Sequence, residues 1–156
     1  MNSEINYIID QLKDVYEGDP WFGRSIKSIL AEIDESIAFD KPNGEHSILE
    51  LIWHMINWRE FTLYHLDPAS DKTLSYFEKN DWLILDHSDK SLLQKALVRL
   101  QQTQEKLLDL LKHQQDEILV KKIDERNYNF RKLLYGIIQH DIYHLGQIIY
   151  IKKMLR

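Results

Sequence analysis

The sequence predicts an all-α protein, an antiparallel four-helix bundle, and three observations carry that reading. Breakers are scarce: five glycines and three prolines are spread through 156 residues, while aliphatic residues, Glu, Lys, Gln and Asp dominate, a composition that favours long helices. Four long segments repeat apolar residues at the helical period, and none alternates at the two-residue period of a half-buried strand. The length is that of a single domain spanning residues 1–156, enough to bury a core without covalent staples.

The first helix is expected over residues 4–17, where Ile5, Ile8, Ile9, Leu12 and Val15 share one face and Gly18 and Asp19-Pro20 follow as punctuation. A second helix is expected from there, with Asp19 as N-cap, Pro20 in its first turn, and Ile26, Ile29, Leu30, Ile33 and Ile37 as its inner stripe. "DKPNGEHS" reads as a turn. Ser47 followed by Glu50 reads as a capping box that opens a long helix to about Leu66, with Ile48, Leu51, Met55, Trp58 and Thr62 inward and His54 and Phe61 on one shoulder.

From Asp67 to Asp86 the period is lost, yet Leu74, Tyr76, Phe77, Trp82 and Leu83 are too apolar for a loose linker; a packed connection with one short helical turn is expected. Ser88 or Asp89 is the expected cap of the next helix, whose Leu93, Leu97, Leu100, Gln104, Leu107 and Leu111 come close to a heptad period. The last helix is expected over residues 130–154, with no internal repeat or low-complexity segment anywhere.

Composition excludes several chemistries. With no cysteine there are no disulfides, thiolate metal sites, iron–sulfur clusters or cysteine nucleophile, so a metal would have to be held by His, Asp or Glu. A net charge of −5 argues against nucleic-acid binding, because the basic residues at Lys121, Lys122, Arg126, Arg131 and Lys132 are interleaved with acids and read as a solvated surface. Lys152, Lys153 and Arg156 suit a helix C-terminus. Residues 1–12 carry Glu4 and Asp10 without a basic leader, and no stretch reaches transmembrane length, so a cytoplasmic protein with no membrane partner is expected.

The segment "GIIQHDIYHLGQI", residues 136–148, raises the functional question. At about 100° per residue, His140 and His144 fall on the same face as Leu133, Ile137, Ile148 and Ile151, so both rings point into the bundle. Residues four apart lie about 5–6 Å apart at Cβ, which lets two imidazoles converge on one ion. The plainer alternative is two core histidines bonded to their neighbours, since buried polar rings need partners in either case.

His54 is the best candidate for a third ligand, and three ligands with an open position is the arrangement of a catalytic metal. His65 lies about 16 Å further along the same helix. His46, before that helix, reads more readily as a surface or capping residue, and His87 and His113 as solvent-facing. A di-iron centre needs two Glu-x-x-His pairs, of which only the approximation Asp141 to His144 exists, and the H-E-x-x-H motif is absent. Asp141 is open to two readings, a group orienting a ligand ring or a helix-surface ion pair. Tyr143 and Gln147 flank the histidine face, where ordinary packing is the favoured reading.

Four blocks carry a family resemblance: "PWFGRSIKSIL" (Pro20 to Leu30), "HSILELIWHMINWREF" (His46 to Phe61), "NDWLIL" (Asn80 to Leu85) and the final histidine segment. In order and spacing they resemble the DinB-like superfamily, including its YfiT-type metalloenzymes, over nearly the whole chain. The resemblance implies up-down-down-up topology, a divalent metal held by His54, His140 and His144, and a homodimer. Members with assigned activity are bacillithiol or mycothiol S-transferases and a mycothiol-dependent maleylpyruvate isomerase, and others are described as hydrolases.

The resulting expectation is a metal-dependent enzyme in which zinc or nickel, with iron, manganese and other divalent ions as further options, activates a low-molecular-weight thiol for transfer to a small electrophile. A cysteine-free chain must take that thiol from outside. The alternatives are hydrolysis by metal-bound water, with Glu50 and Glu60 as the acids to test, and a non-catalytic helical module whose pocket is lined by Trp21, Trp53, Trp58 and Trp82.

Overall fold

A computed structural model describes residues 2–67, 69 and 71–156. The described residues form seven α-helices and no sheet: α1 (Ser3–Glu17), α2 (Ile26–Leu30), α3 (Glu35–Ala38), α4 (Ile48–Leu66), α5 (Leu74–Lys79), α6 (Leu92–Lys112) and α7 (Phe130–Met154). Four of them are long and pack on one another, which makes the molecule an all-α bundle.

Local chemistry sets most of the boundaries. In α1, Ile5, Ile8, Ile9, Leu12 and Val15 are all buried, and the Gly18 N–H closes the helix on the carbonyls of Lys13 and Asp14. The first turn of α1 has no side-chain cap of its own; the carboxylate of Asp116, 111 residues on, accepts from the Ile5 N–H at 2.9 Å. The capping box of α4 forms as expected, Ser47 Oγ accepting from Glu50 N at 3.1 Å and the Glu50 carboxylate accepting from Ser47 N at 2.8 Å. At the start of α7, Asn129 Oδ1 accepts from Lys132 N at 3.0 Å.

Three expectations need correction. The helix expected from Asp19 is instead two short ones, α2 capped by Ser25 and α3 capped by Asp34; Gly23 at φ +141° already turns the chain away from helical geometry. α6 begins at Leu92, because Asp89 spends its carboxylate on the Ser91 N–H at 2.9 Å and on Lys95. Lys152 is buried rather than a free cation at the helix end, and its ammonium holds Glu32 on the segment between α2 and α3. Arg24 first and Lys152 second pull the Glu32 carboxyl down to about 2.

Side-chain pairs fix the directions of the long helices. Glu60 pairs with Arg99 and Asp67 with Lys106 at 3.3 Å, so α4 and α6 run parallel. Glu4 grips Arg131 in a two-pronged pair at 2.7 and 2.9 Å, so α1 and α7 also run parallel. His54 meets His140 and His144 while Arg59, further down α4, meets Asp141, which is consistent with α4 and α7 opposed; Ile5 bonds beyond the C-terminal end of α6, which opposes α1 and α6. The order is up-down-down-up, as the resemblance implies, and each long helix has one parallel and one opposed neighbour. A parallel pair of consecutive long helices requires the chain between α4 and α6 to travel back along the bundle, about 28 Å for a 19-residue helix. That return path, pinned by buried Phe77 of α5, brings Asp81 and Trp82 alongside His54. The expected packed connection over 67–86 is therefore present, with Pro68 and Ser70 outside the described residues.

A candidate metal centre between α4 and α7

His140 and His144 stand one turn apart on α7, and His54 reaches them from opposed α4. His140 Nε2 lies 3.0 Å from His54 Nε2 and 3.1 Å from His144 Nε2, so three ring nitrogens converge on one point. An ion with metal–nitrogen bonds of about 2.0–2.1 Å spaces tetrahedral ligands about 3.3 Å apart, within a few tenths of an ångström of what is observed. His54 and His144 are 8 % and 5 % exposed and His140 is half-buried, so the point lies inside the bundle near its surface.

The opposite ring nitrogens decide what these atoms can do. His54 Nδ1 lies 2.9 Å from the Asp81 carbonyl and 3.0 Å from Asp81 Oδ1, and a carbonyl can only accept, so Nδ1 carries the proton and Nε2 presents its lone pair. Trp58 Nε1 donates to the same Oδ1 at 2.6 Å and holds the carboxylate in place. His144 Nδ1 donates to Gln147 Oε1 at 2.6 Å, which leaves its Nε2 in the same state. Among the described residues His140 Nδ1 is buried without a partner. Two bare lone pairs aimed at a third nitrogen suit a shared cation, and an imidazole whose second nitrogen is oriented by a carboxylate or amide is the usual arrangement of a metal-bound histidine.

Electrostatics keeps the two α7 rings neutral. Burial, then the neighbouring His144 and His54 and finally Arg59, pushes His140 down to about 3. Burial also lowers His144, against the opposing pull of its bond to Gln147. Neutral imidazole is the ligating form, so both rings are ready to bind a cation at neutral pH.

The structure corrects several of the surrounding expectations. Asp141 neither orients a ring nor sits on the surface: it is 1 % exposed, and its Oδ2 accepts from Arg59 Nε at 2.9 Å and Nη2 at 2.8 Å. Burial pushes its carboxyl up while Arg59 opposes the shift. Nothing in the sequence singles out Arg59, and Asp141 reads there as a ring-orienting group or a surface ion pair; the sequence signals neither that both are buried nor that they meet. Glu50 is committed to the capping box and to Lys41 at 2.6 Å, and Glu60 to Arg99, so neither serves the histidine cluster.

Gln147 orients His144 rather than merely packing, whereas Tyr143 is 65 % exposed and touches His144 by its ring edge. The four tryptophans do not share a pocket: Trp21 is wholly exposed, Trp53 faces α5, Trp58 serves Asp81, and Trp82 stacks on His54 with ring centres 4.0 Å apart. His46 stacks on the other face of Trp82 at 3.5 Å, so it belongs to the wall of the site although not to the ligand set. His65 packs against Phe61 and Tyr64, and His87 and His113 are exposed.

Asp81 was not singled out from the sequence. The available signal was an acid next to tryptophan in a connection too apolar to be free, "NDWLIL".

Fold and cluster together define a helical bundle with a three-histidine site able to hold a metal ion. The model of the DinB superfamily matches residues 23–148, which include all three histidines. The chain belongs to the DinB superfamily. No curated protein and no solved structure matches it.

Proposed function

We propose that the protein is a divalent-metal enzyme in which His54, His140 and His144 hold zinc or nickel, and that its reaction transfers an external low-molecular-weight thiol to a small electrophile. The observation that carries this reading is the convergence of three Nε2 atoms, two of them bared by bonds at Nδ1. A bound divalent ion lowers the pKa of a thiol and supplies a nucleophile at neutral pH. His54 and His144 keep their Nδ1 protons on Asp81 and Gln147, so their role is to ligate and orient rather than to exchange protons. In the transfer, a carbon–sulfur bond forms at the electrophile, the bond to its leaving group breaks with the electron pair, and the thiol proton ends on that group.

Hydrolysis is the less supported reading, because it asks for a general base and the acids on α4 are engaged elsewhere. The resemblance supports a homodimer, which light scattering would check; the expectation of a cytoplasmic protein rests on the sequence reading and would be checked by fractionation. Among the described residues no helix is long and apolar enough to cross a membrane.

The decisive experiment is elemental mass spectrometry on untagged protein, wild type beside His54→Ala and His144→Ala. About one metal per chain in the wild type and none in either variant is expected; a metal-free wild type after reconstitution with zinc and nickel would end this reading. Turnover of an activated electrophile should then require added thiol, whereas an ester hydrolysed equally well without thiol would favour hydrolysis.

A further inference from the structure

Two grooves flank the histidine cluster along α7, and each is lined in part by a glycine: Gly136, one turn before His140, and Gly146, two residues after His144. Glycine inside a helix costs about 1 kcal/mol relative to alanine. Neither glycine is explained by packing or by backbone geometry, since a Cβ on either would meet no atom within 4 Å and neither has a positive φ. What the absent methyl provides is room beside the helix, which is what the close approach of a ligand requires.

The Gly136 groove is the one that includes a residue of the cluster itself. It encloses about 260 Å³ between Trp58, Phe61, Tyr128, Leu133, Ile137 and His140. That is just under the range of about 300–1,000 Å³ typical of sites for drug-sized ligands, so its occupant is smaller, and aromatic walls favour a flat one.

The groove's charge is positive. Lys132 lines it, lies 5.9 Å from the centre of the Tyr128 ring, and has no carboxylate within ion-pair distance among the described residues. Arg126 does not line the groove: it stands over the rings of Phe61 at 5.5 Å and Trp58 at 5.9 Å and pairs with Glu78 at 3.9 Å. The nearby acids Asp124 and Glu125 neighbour His65 and line no part of the groove.

We infer that the Gly136 groove binds the electrophilic substrate, and that this substrate is a small, planar, apolar molecule carrying a carboxylate. Its flat body lies against Trp58 and Phe61, its carboxylate meets Lys132, and its reacting carbon faces His140. The word electrophile rests on the proposed thiol transfer; the binding does not.

The test is a titration of protein, with and without zinc, by trans-cinnamate and by its neutral amide, following the backbone amide signals of Gly136 and Gly146 by NMR, with zinc uptake measured on the same samples. Cinnamate is expected to move the Gly136 signal rather than that of Gly146, in both zinc states, and to bind about tenfold tighter than the amide, one charge-assisted contact. Lys132→Ala should erase that preference, and Gly136→Leu should block both probes while zinc uptake stays unchanged.

Equal binding of acid and amide to the wild type would overturn the inference, as would a response at Gly146 alone, or binding confined to the zinc-loaded protein and indifferent to Lys132→Ala. If Gly136→Leu does not fold, Lys132→Ala decides alone. Cinnamate binding without zinc uptake would remove the metal reading and leave the groove; zinc uptake without cinnamate binding would do the reverse.

Discussion

At the scale of single residues, the centre depends on atoms that never touch the cation. Asp81 fixes His54 through both its carbonyl and its carboxylate, so Asp81→Ala should weaken zinc binding by about 10- to 100-fold, as loss of a partner behind a ligand usually does. Competition with a chromogenic chelator would measure this, and unchanged affinity would mean that the main-chain carbonyl at 81 and packing against Trp82 hold the ring without the carboxylate. The pH dependence follows from His140. Its folded value is about 3 against an ordinary 6.5, so between those limits the unfolded chain binds the extra proton. The folding penalty is absent above pH 6.5 and grows as pH falls towards 3. Urea midpoints of metal-free protein should therefore drop across that window, and less steeply in His140→Gln; parallel curves would remove His140 as the cause.

At the scale of elements, the site is an α4–α7 product set by how each helix starts. The Ser47 and Glu50 box fixes where α4 begins, and with it the turn on which His54 lies. Ser47→Ala should cost about 1 kcal/mol of stability in urea unfolding, with zinc stoichiometry unchanged because the cluster sits two turns inside the helix. A larger loss together with lost zinc would mean that the start of α4 positions His54 directly. The boundaries of α4 and α7 were readable because each carries a cap signal and a sustained period. The stretch between α1 and α4 was not, since the apolar spacing of Ile26, Ile29, Leu30 and Ile33 fits one helix as well as two, and the break comes from Gly23 and the caps Ser25 and Asp34.

At the scale of the whole molecule, one buried polar network ties all four long helices together. Arg59 of α4 pairs with Asp141 of α7 and donates to Gln104 of α6 at 3.0 Å; Gln104 donates to the Leu12 carbonyl of α1 at 3.0 Å; and Tyr16 of α1 lies under the guanidinium at 5.4 Å. Arg59→Met alone strands a buried carboxylate and should cost about 3–5 kcal/mol, whereas adding Asp141→Leu should recover much of the loss. Urea unfolding of the two singles and the double would show this, and additive losses would deny the coupling.

The sequence by itself determined that the protein is helical, where its long helices lie, and that His140 and His144 face inward with His54 the best third partner. Periodicity and caps act over a few residues and are therefore written locally. Only the tertiary structure decided that α4 and α6 run parallel, that the connection so forced back along the bundle delivers Asp81 and Trp82 to His54, that Arg59 meets Asp141, and that Lys152 is buried against Glu32. Each of those joins residues distant in the chain, and no local preference encodes which distant partner a charged or aromatic side chain will meet.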